Sequence, residues 1–422
     1  VGYSRVQALL EEGGVWVYVA SARAEHGNKL GGVPRAVVAV GAVSLLTDIS
    51  SEMVTAFLPV YLLFTLHVGY VQFGLLDGLY TGATAVLRLV GGHVADRLRR
   101  PKAVAGVGYA MSAVTKLAFP LVGASAFGIG GLLAADRAGK GLRTAPRDAL
   151  ISLSVPPHQL GTAFGVHRTM DTVGALLGPL ATFLLIANLG TRPDPIFIVS
   201  FAFALVGVIT LVFFVRERPA APAAARKAPD IKAGLALLKD KAFARVAIVA
   251  AILGLATMSD AFVFVLVQKT TDIPLGALPL LPLGTALTFL LLATPLGRLS
   301  DRLGRWKIFF AGHVLLLGVY VLLLAPSGGY TVAVIALLLH GAFYAATDGV
   351  LSAWAGSMIP EDLRGSGLAV VQTGQALAKL VSSVAFGFLL QYASVLAAVA
   401  VAGGGLAVSL LVVLVVRRRA AA

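Results

Sequence analysis

The sequence contains no cysteine. That removes disulfides, thiolate nucleophiles and cysteine-based metal sites from consideration. Charge is scarce as well. Only 13% of the 422 residues are Asp, Glu, Lys or Arg, against about a quarter in an ordinary soluble domain. Acids are the scarcer sign, 20 against 34 Lys and Arg. Residues 1–34 lack a basic–apolar–small pattern, so no cleavable signal peptide is expected there. No His/Asp/Glu group has metal-ligand spacing, and no nucleophile–base arrangement points to an enzyme. Neither metal nor cofactor is expected. The segment Ala138-Gly139-Lys140-Gly141 resembles a phosphate loop only superficially. It lacks the Ser/Thr after the lysine and the leading glycine at the required spacing.

Apolar residues are what the chain has in excess: 58% of it, with a mean hydropathy of +0.88. A membrane-spanning helix needs roughly 20 mostly apolar residues. Such runs occur at 36–64, 70–95, 103–122, 128–151, 162–187, 196–215, 244–267, 276–297, 308–325, 331–355, 366–390 and 395–416. They are long and do not alternate, which favours helices over barrel strands. The fold expected is therefore an all-α membrane protein with twelve transmembrane helices.

The basic excess is distributed unevenly. If both termini lie on one side, loops on that side carry 24 Lys and Arg, counting Arg245 with the central linker. The opposite loops carry 2, Arg192 and Lys269. This bias places both termini in the cytoplasm. It also explains the charge without nucleic acid. The Pro- and Ala-rich stretch 216–243 separates two halves, 36–215 and 244–416, with an N-terminal tail 1–35 and a basic tail 417–422. The halves repeat. Gly92-His-Val-Ala-Asp96-Arg97-Leu-Arg99-Arg100 follows span 2, and Gly297-Arg-Leu-Ser-Asp301-Arg302-Leu-Gly-Arg305 follows span 8, with the aspartates 205 residues apart. Gly161 and Gly365 open spans 5 and 11 at an offset of 204. A parallel repeat of this kind places a substrate site near the midplane, between the halves.

With its duplicated G-x-x-x-D-R loop, the sequence resembles the major facilitator superfamily over roughly residues 36–416. The resemblance implies two pseudo-symmetric six-helix bundles. It also implies a cytoplasmic gate built from Gly92, Asp96, Arg97 and Arg100 with their copies Asp301, Arg302 and Arg305. Gly165-x8-Gly174-x3-Gly178-Pro179 in span 5 is similar to the antiporter motif of twelve-span drug:proton exporters, without that motif's trailing glycines. Small residues there let helices approach closely. Leu133-x3-Arg137-x2-Lys140-Gly141 in span 4 resembles a family motif whose buried arginine assists proton movement. Here Lys140 stands in place of the usual glutamine.

Ionisable groups within spans are costly and usually functional. Eight bases (Arg88, Lys116, Arg137, Lys140, Arg143, Arg147, Arg168, Lys379) face eight acids (Asp48, Glu52, Asp77, Asp136, Asp148, Asp171, Asp260, Asp348). Asp136, Lys140, Arg143 and Arg147 fall on one stripe of span 4. His167, Asp171, Gly174 and Gly178 share a face of span 5. We expect the proton-coupling core in the N-terminal half: Asp171 with Arg137 and one of Asp48 or Glu52, and His167 as a proton carrier. Substrate contacts are expected from Lys140, Arg143, Asp260, His340, Tyr344, Asp348, Gln372 and Gln375. The expectation is a bacterial inner-membrane exporter, working as a monomer and exchanging a small molecule for protons. The alternatives are a proton symporter importing an organic anion, suggested by the cationic stripe on span 4, and a non-transporting receptor or scaffold.

Overall fold

The computed structural model describes residues 29–30, 33–80, 100–123, 125–156, 159–215, 231–325, 329–360 and 363–421. A two-residue antiparallel pairing, β1 (Lys29–Leu30) with β2 (Val33–Pro34), precedes the first helix. Helix α1 runs Arg35–Pro59 and continues as a π-helical turn, Val60–Thr65. Residues 70–80 are helical (α2) up to the edge of the described segment. Then come α3 (Pro101–Ala118), α4 (Ala126–Leu153), α5 (Leu160–Leu189) and α6 (Pro193–Phe214). Helix α7 is in two pieces, Lys241–Leu255 and Asp260–Thr271. The rest are α8 (Leu281–Leu303), α9 (Arg305–Leu323), α10 (Gly329–Gly356), α11 (Arg364–Tyr392) and α12 (Val395–Ala421).

Local chemistry explains the helix ends. Proline opens α3 and α6, where its missing N–H costs nothing. The Ser125 hydroxyl caps α4 by accepting from Gly128 N at 3.1 Å. Asp240 caps α7, accepting from Ala242 N and Phe243 N at 2.9 and 2.8 Å. Gly190 (φ 74°) closes α5 and Gly304 (φ 100°) separates α8 from α9 in backbone conformations that favour glycine.

Among the described residues, ten helical stretches are long and apolar enough to cross a membrane. Helix α4 has the length but carries six ionisable residues, Asp136, Arg137, Lys140, Arg143, Arg147 and Asp148. The outer surface is apolar in keeping with a lipid environment. Phe127 is 96% exposed, and Leu121, Phe213 and Phe214 also face outward. Inside, Phe57, Tyr61, Phe119 and Phe197 form an aromatic cluster with ring centroids 5.1–5.9 Å apart.

Helix α1 packs along α5 and α6, and α3 along α4 and α6. In the second half α10 packs on α8 and α9, the first piece of α7 on α11, and α9 on α12. Among the described residues, contacts between the halves include those at the end remote from the chain termini. There α5 meets the 3-10 turn Leu275–Leu280, and α2 crosses α11. Val71 N donates to Gln391 Oε1 at 3.0 Å across that crossing, and Lys269 Nζ bonds the Tyr70 hydroxyl.

One feature departs from the sequence expectation. Span 7 is not continuous. It breaks at Ala256–Ser259, where Tyr320 Oη accepts from Met258 N at 2.7 Å and Ser259 caps the second piece. Its apolar run gives no sign of this, because the break is held by a hydroxyl from α9. The linker 216–243 contains a short helix. Ile231–Ala236 is helical and packs on α11, with Gly234 against the Ser366 backbone.

Candidate functional site

The break in α7 faces a cavity of about 470 Å³ at mid-depth, between α1, α2, α7, α8, α10 and α11. Its charged lining, among the described residues, is Glu52, Asp77, Asp260, Asp348 and Lys379. The walls are otherwise largely apolar and aromatic, including Phe73, Phe264 and Phe289.

Helix breakage sets the chemistry on the second-half wall. Asp260 occupies the first turn of the second piece of α7, where an anion meets the positive end of the helix. Its side chain is 50% exposed to the cavity. Tyr344 Oη on α10 donates to Asp260 Oδ1 at 2.5 Å and accepts from Lys379 Nζ on α11 at 3.3 Å. The Lys379 ammonium lies 5.1 Å from the Tyr344 ring centroid. His340 is buried behind them, with Nδ1 3.2 Å from the Thr285 hydroxyl and Nε2 3.6 Å from Asp260 Oδ1. On the α2 wall, Ser383 Oγ donates to Asp77 Oδ2 at 2.9 Å. The hydroxyls of Tyr80 and Thr55 meet at 2.6 Å. A second cavity of about 340 Å³ between α10 and α11 shares Asp348 with the first and is lined by Ser352, Gln372 and Gln375.

The first-half charges lie behind this cavity. Asp136 accepts from Lys116 Nζ at 2.9 Å and Ser112 Oγ at 2.5 Å, and pairs with the Arg137 guanidinium. Arg137 stacks 3.8 Å from the centre of the Tyr80 ring. Arg143 approaches Asp48 at 3.8 Å and lies over Tyr109 at 4.7 Å. Arg147 reaches Asp148 at 2.9 Å and Asp171 at 3.9 Å. His167 sits between Ser44 Oγ (2.9 Å from Nε2) and Asp171 Oδ2 (3.5 Å from Nδ1).

The structure thus regroups the residues expected to form one core. Asp171 meets Arg147 and His167, not Arg137. Arg137 is occupied by its neighbour Asp136, because α4 turns that pair toward Lys116 on α3. Asp48 joins Arg143, and Glu52 lines the cavity one helical turn on. Lys140 and Arg143, expected as substrate contacts, do not line the cavity; Arg143 is buried against Asp48 and Tyr109. Asp260, Tyr344 and Asp348 do line it. His340 stands one layer behind, and Gln372 and Gln375 line the adjoining cavity.

Glycines in α5 position two of these acids. A Cβ at Gly174 would stand 3.1 Å from the Asp48 Cβ, and one at Gly178 would stand 2.7 Å from that of Glu52. Pro179 is buried beside them, whereas Gly165 has open space around it. Among the expected gate residues, Gly92, Asp96 and Arg97 lie outside the described residues, as does His93. Arg100 is exposed just before α3. Asp301 is 65% exposed and accepts from Arg305 at 3.4 Å, while Arg305 Nη1 donates to Ala353 O at 2.9 Å. Arg302 is exposed.

Sequence reasoning left Asp77, Tyr80, Thr55, Ser259 and Thr285 out of the site. Asp77 carried a signal, as an isolated acid in an apolar run. The hydroxyls carried none, since they are ordinary within membrane helices.

Apolar helices around an acid-lined cavity at mid-depth define a multi-pass membrane protein arranged to pass a solute. The profile of the Major Facilitator Superfamily matches residues 40–288 and 247–422, and the chain belongs to that family of membrane transporters. An uncharacterised MFS-type transporter of Methanocaldococcus jannaschii is 30% identical over 359 residues, 83% of this chain and 87% of its own length. The multidrug resistance protein MdtG of Salmonella paratyphi C is 31% identical over 187 residues, 42% of this chain and 44% of its own. The crystal structure of the nucleoside transporter NupG superposes with a TM-score of 0.77 over 90% of this chain and 98% of that one, at 14% identity. A POT family transporter in complex with 5-aminolevulinic acid superposes at 0.72 over 92% and 97%, also at 14% identity. At these identities the structural likeness is one of fold alone.

Proposed function

We propose that this transporter is a proton-coupled exporter, exchanging protons for a small molecule that carries a positive charge. Twelve spans in two six-helix bundles rock about the central cavity. Both termini and the linker face the cytoplasm, in a bacterial inner membrane, and the monomer is the working unit.

The observation that carries this reading is the charge of the cavity. Four carboxylates (Glu52, Asp77, Asp260, Asp348) line it against one ammonium, Lys379, among the described residues. A carboxylate in such a site can hold a proton or a cationic group, not both at once. Mutual exclusion of this kind, with different affinities in the two facing states, is sufficient for antiport. The cationic stripe that suggested an organic anion stands one layer behind this lining, with Arg137 stacked on Tyr80.

One comparison supports export: MdtG, named for multidrug resistance, is similar over less than half of the chain.

Proton movement through the first half would use Asp171, held between Arg147 and His167. Protonation of Asp171 would release Arg147 and loosen the contact of α5 with α4. Asp96, Arg97 and their copies Asp301 and Arg302 would latch the cytoplasmic end. In reconstituted vesicles we expect Asp171→Asn to lose uphill transport driven by a pH gradient while exchange of substrate for substrate persists. An Asp171→Asn protein that still concentrates substrate against its gradient would refute the assignment.

A further inference from the structure

Among the described residues, the one ammonium lining the cavity has an unusual position. Lys379 has no carboxylate partner within 4.0 Å among the described residues. Instead its Nζ rests on the Tyr344 hydroxyl at 3.3 Å and 5.1 Å from the ring centroid, while the same hydroxyl is committed to Asp260 at 2.5 Å. The ammonium therefore sits beside the Tyr344 hydroxyl, at the margin of the ring, with a carboxylate behind that hydroxyl. A hydroxyl committed to a carboxylate favours positive charge at its free lone pair, the more so where water is scarce. Phe264 and Phe289 line the same cavity and offer further apolar contact.

We infer that Lys379 is a tethered internal cation occupying the substrate's own site beside the Tyr344 hydroxyl and Asp260, and that an organic cation binds by displacing it. The inference rests on the reading of this cavity as the site of a positively charged substrate. Its physical content is competition. A flexible four-carbon stem lets the ammonium leave without moving α11. If the ammonium holds the site about nine-tenths of the time, the apparent affinity for an external cation falls about tenfold. The benefit is that the empty transporter does not leave a carboxylate-rich cavity without a counter-charge, and a weakly held substrate is more easily released.

The test is equilibrium binding of tetraphenylphosphonium to the purified full-length protein in detergent, with neutral triphenylphosphine oxide as the control probe. Lys379→Met should bind the cation about tenfold more tightly than wild type, and Lys379→Gln should shift in the same direction. Lys379→Arg should restore the weaker binding, because it returns a fixed charge to the site. Asp260→Asn should weaken cation binding about tenfold. The neutral probe should bind wild type and Lys379→Met alike. Unchanged or weaker cation binding in both Met and Gln variants, at wild-type melting temperature, would overturn the inference. So would an equal gain for the neutral probe, which would mean that only space had been opened. These measurements need no gradient, so failure of the antiport reading leaves their outcome standing, and their failure leaves the gradient experiments standing.

Discussion

At the residue scale, the buried charges differ sharply in how replaceable they are. Asp136 is 8% exposed and serves two cations, Lys116 at 2% and Arg137 at 5%. Asp136→Asn would leave both cations buried without a counter-charge, at a cost of about 3–5 kcal/mol. Lys116→Met would remove its charge-assisted bond to Asp136 and its bonds to Ser112 but leave Asp136 with Arg137 and a bond from Ser112, so its cost should be smaller, about 1.5–3 kcal/mol. Thermal melting of the two purified variants should therefore rank Asp136→Asn below Lys116→Met. Equal melting temperatures would mean that the triad is not what holds α3 to α4. The sequence revealed that Asp136 and its neighbours are charged and share a stripe, because that follows from helical spacing alone. It did not reveal Lys116 as the partner, because that depends on how α3 and α4 are rotated about their axes. The same limit explains why Asp171 and Arg137 are legible individually yet belong to different clusters.

At the scale of the element, the glycine motif of α5 divides into parts with different roles. A Cβ at Gly178 would meet Ile49 O at 2.8 Å and Met53 N at 2.9 Å, both α1 backbone atoms that cannot yield. Gly178→Val should push α5 from α1 and cost about 1–3 kcal/mol by overpacking. Gly165 is exposed with nothing nearby. Gly165→Ala should be neutral or stabilise by up to about 1 kcal/mol through helix propensity. Melting of both variants checks this, and a destabilised Gly165→Ala would show a role the packing does not reveal. Helix α7 illustrates the opposite case, an element whose functional feature left no trace in hydropathy. Residues 244–267 read as one apolar span, yet the chain breaks at Ala256–Ser259 and delivers Asp260 to the cavity. The break depends on the Tyr320 hydroxyl from α9, a tertiary contact. The surrounding helices were legible because a bilayer demands long apolar runs with satisfied backbones. The ends of α4, α5, α10 and α11 lie farther out than the apolar runs because residues at the interfaces continue the helix.

At the scale of the whole molecule, the repeat and the loop charges already pointed to a family of transporters, and the family match bears this out. What the chain could not convey was the sign of the cavity. Read linearly, α4 is the most charged helix and its stripe is cationic. Folded, its Arg137, Arg143 and Arg147 pair with Asp136, Asp48 and Asp171, and the lining among the described residues is mostly acidic. The central claim, exchange of protons for a positively charged molecule, is tested most directly by the direction of proton flow. Purified protein would be reconstituted into vesicles with an acidic lumen, the membrane potential clamped with potassium and valinomycin, and a luminal pH dye recorded while organic cations, neutral amphiphiles and organic anions are added outside in turn. The account predicts that cations make the lumen more alkaline in proportion to their uptake, and that anions do not. Acidification of the lumen accompanying uptake, or an anion that moves in the same direction as protons, would contradict it.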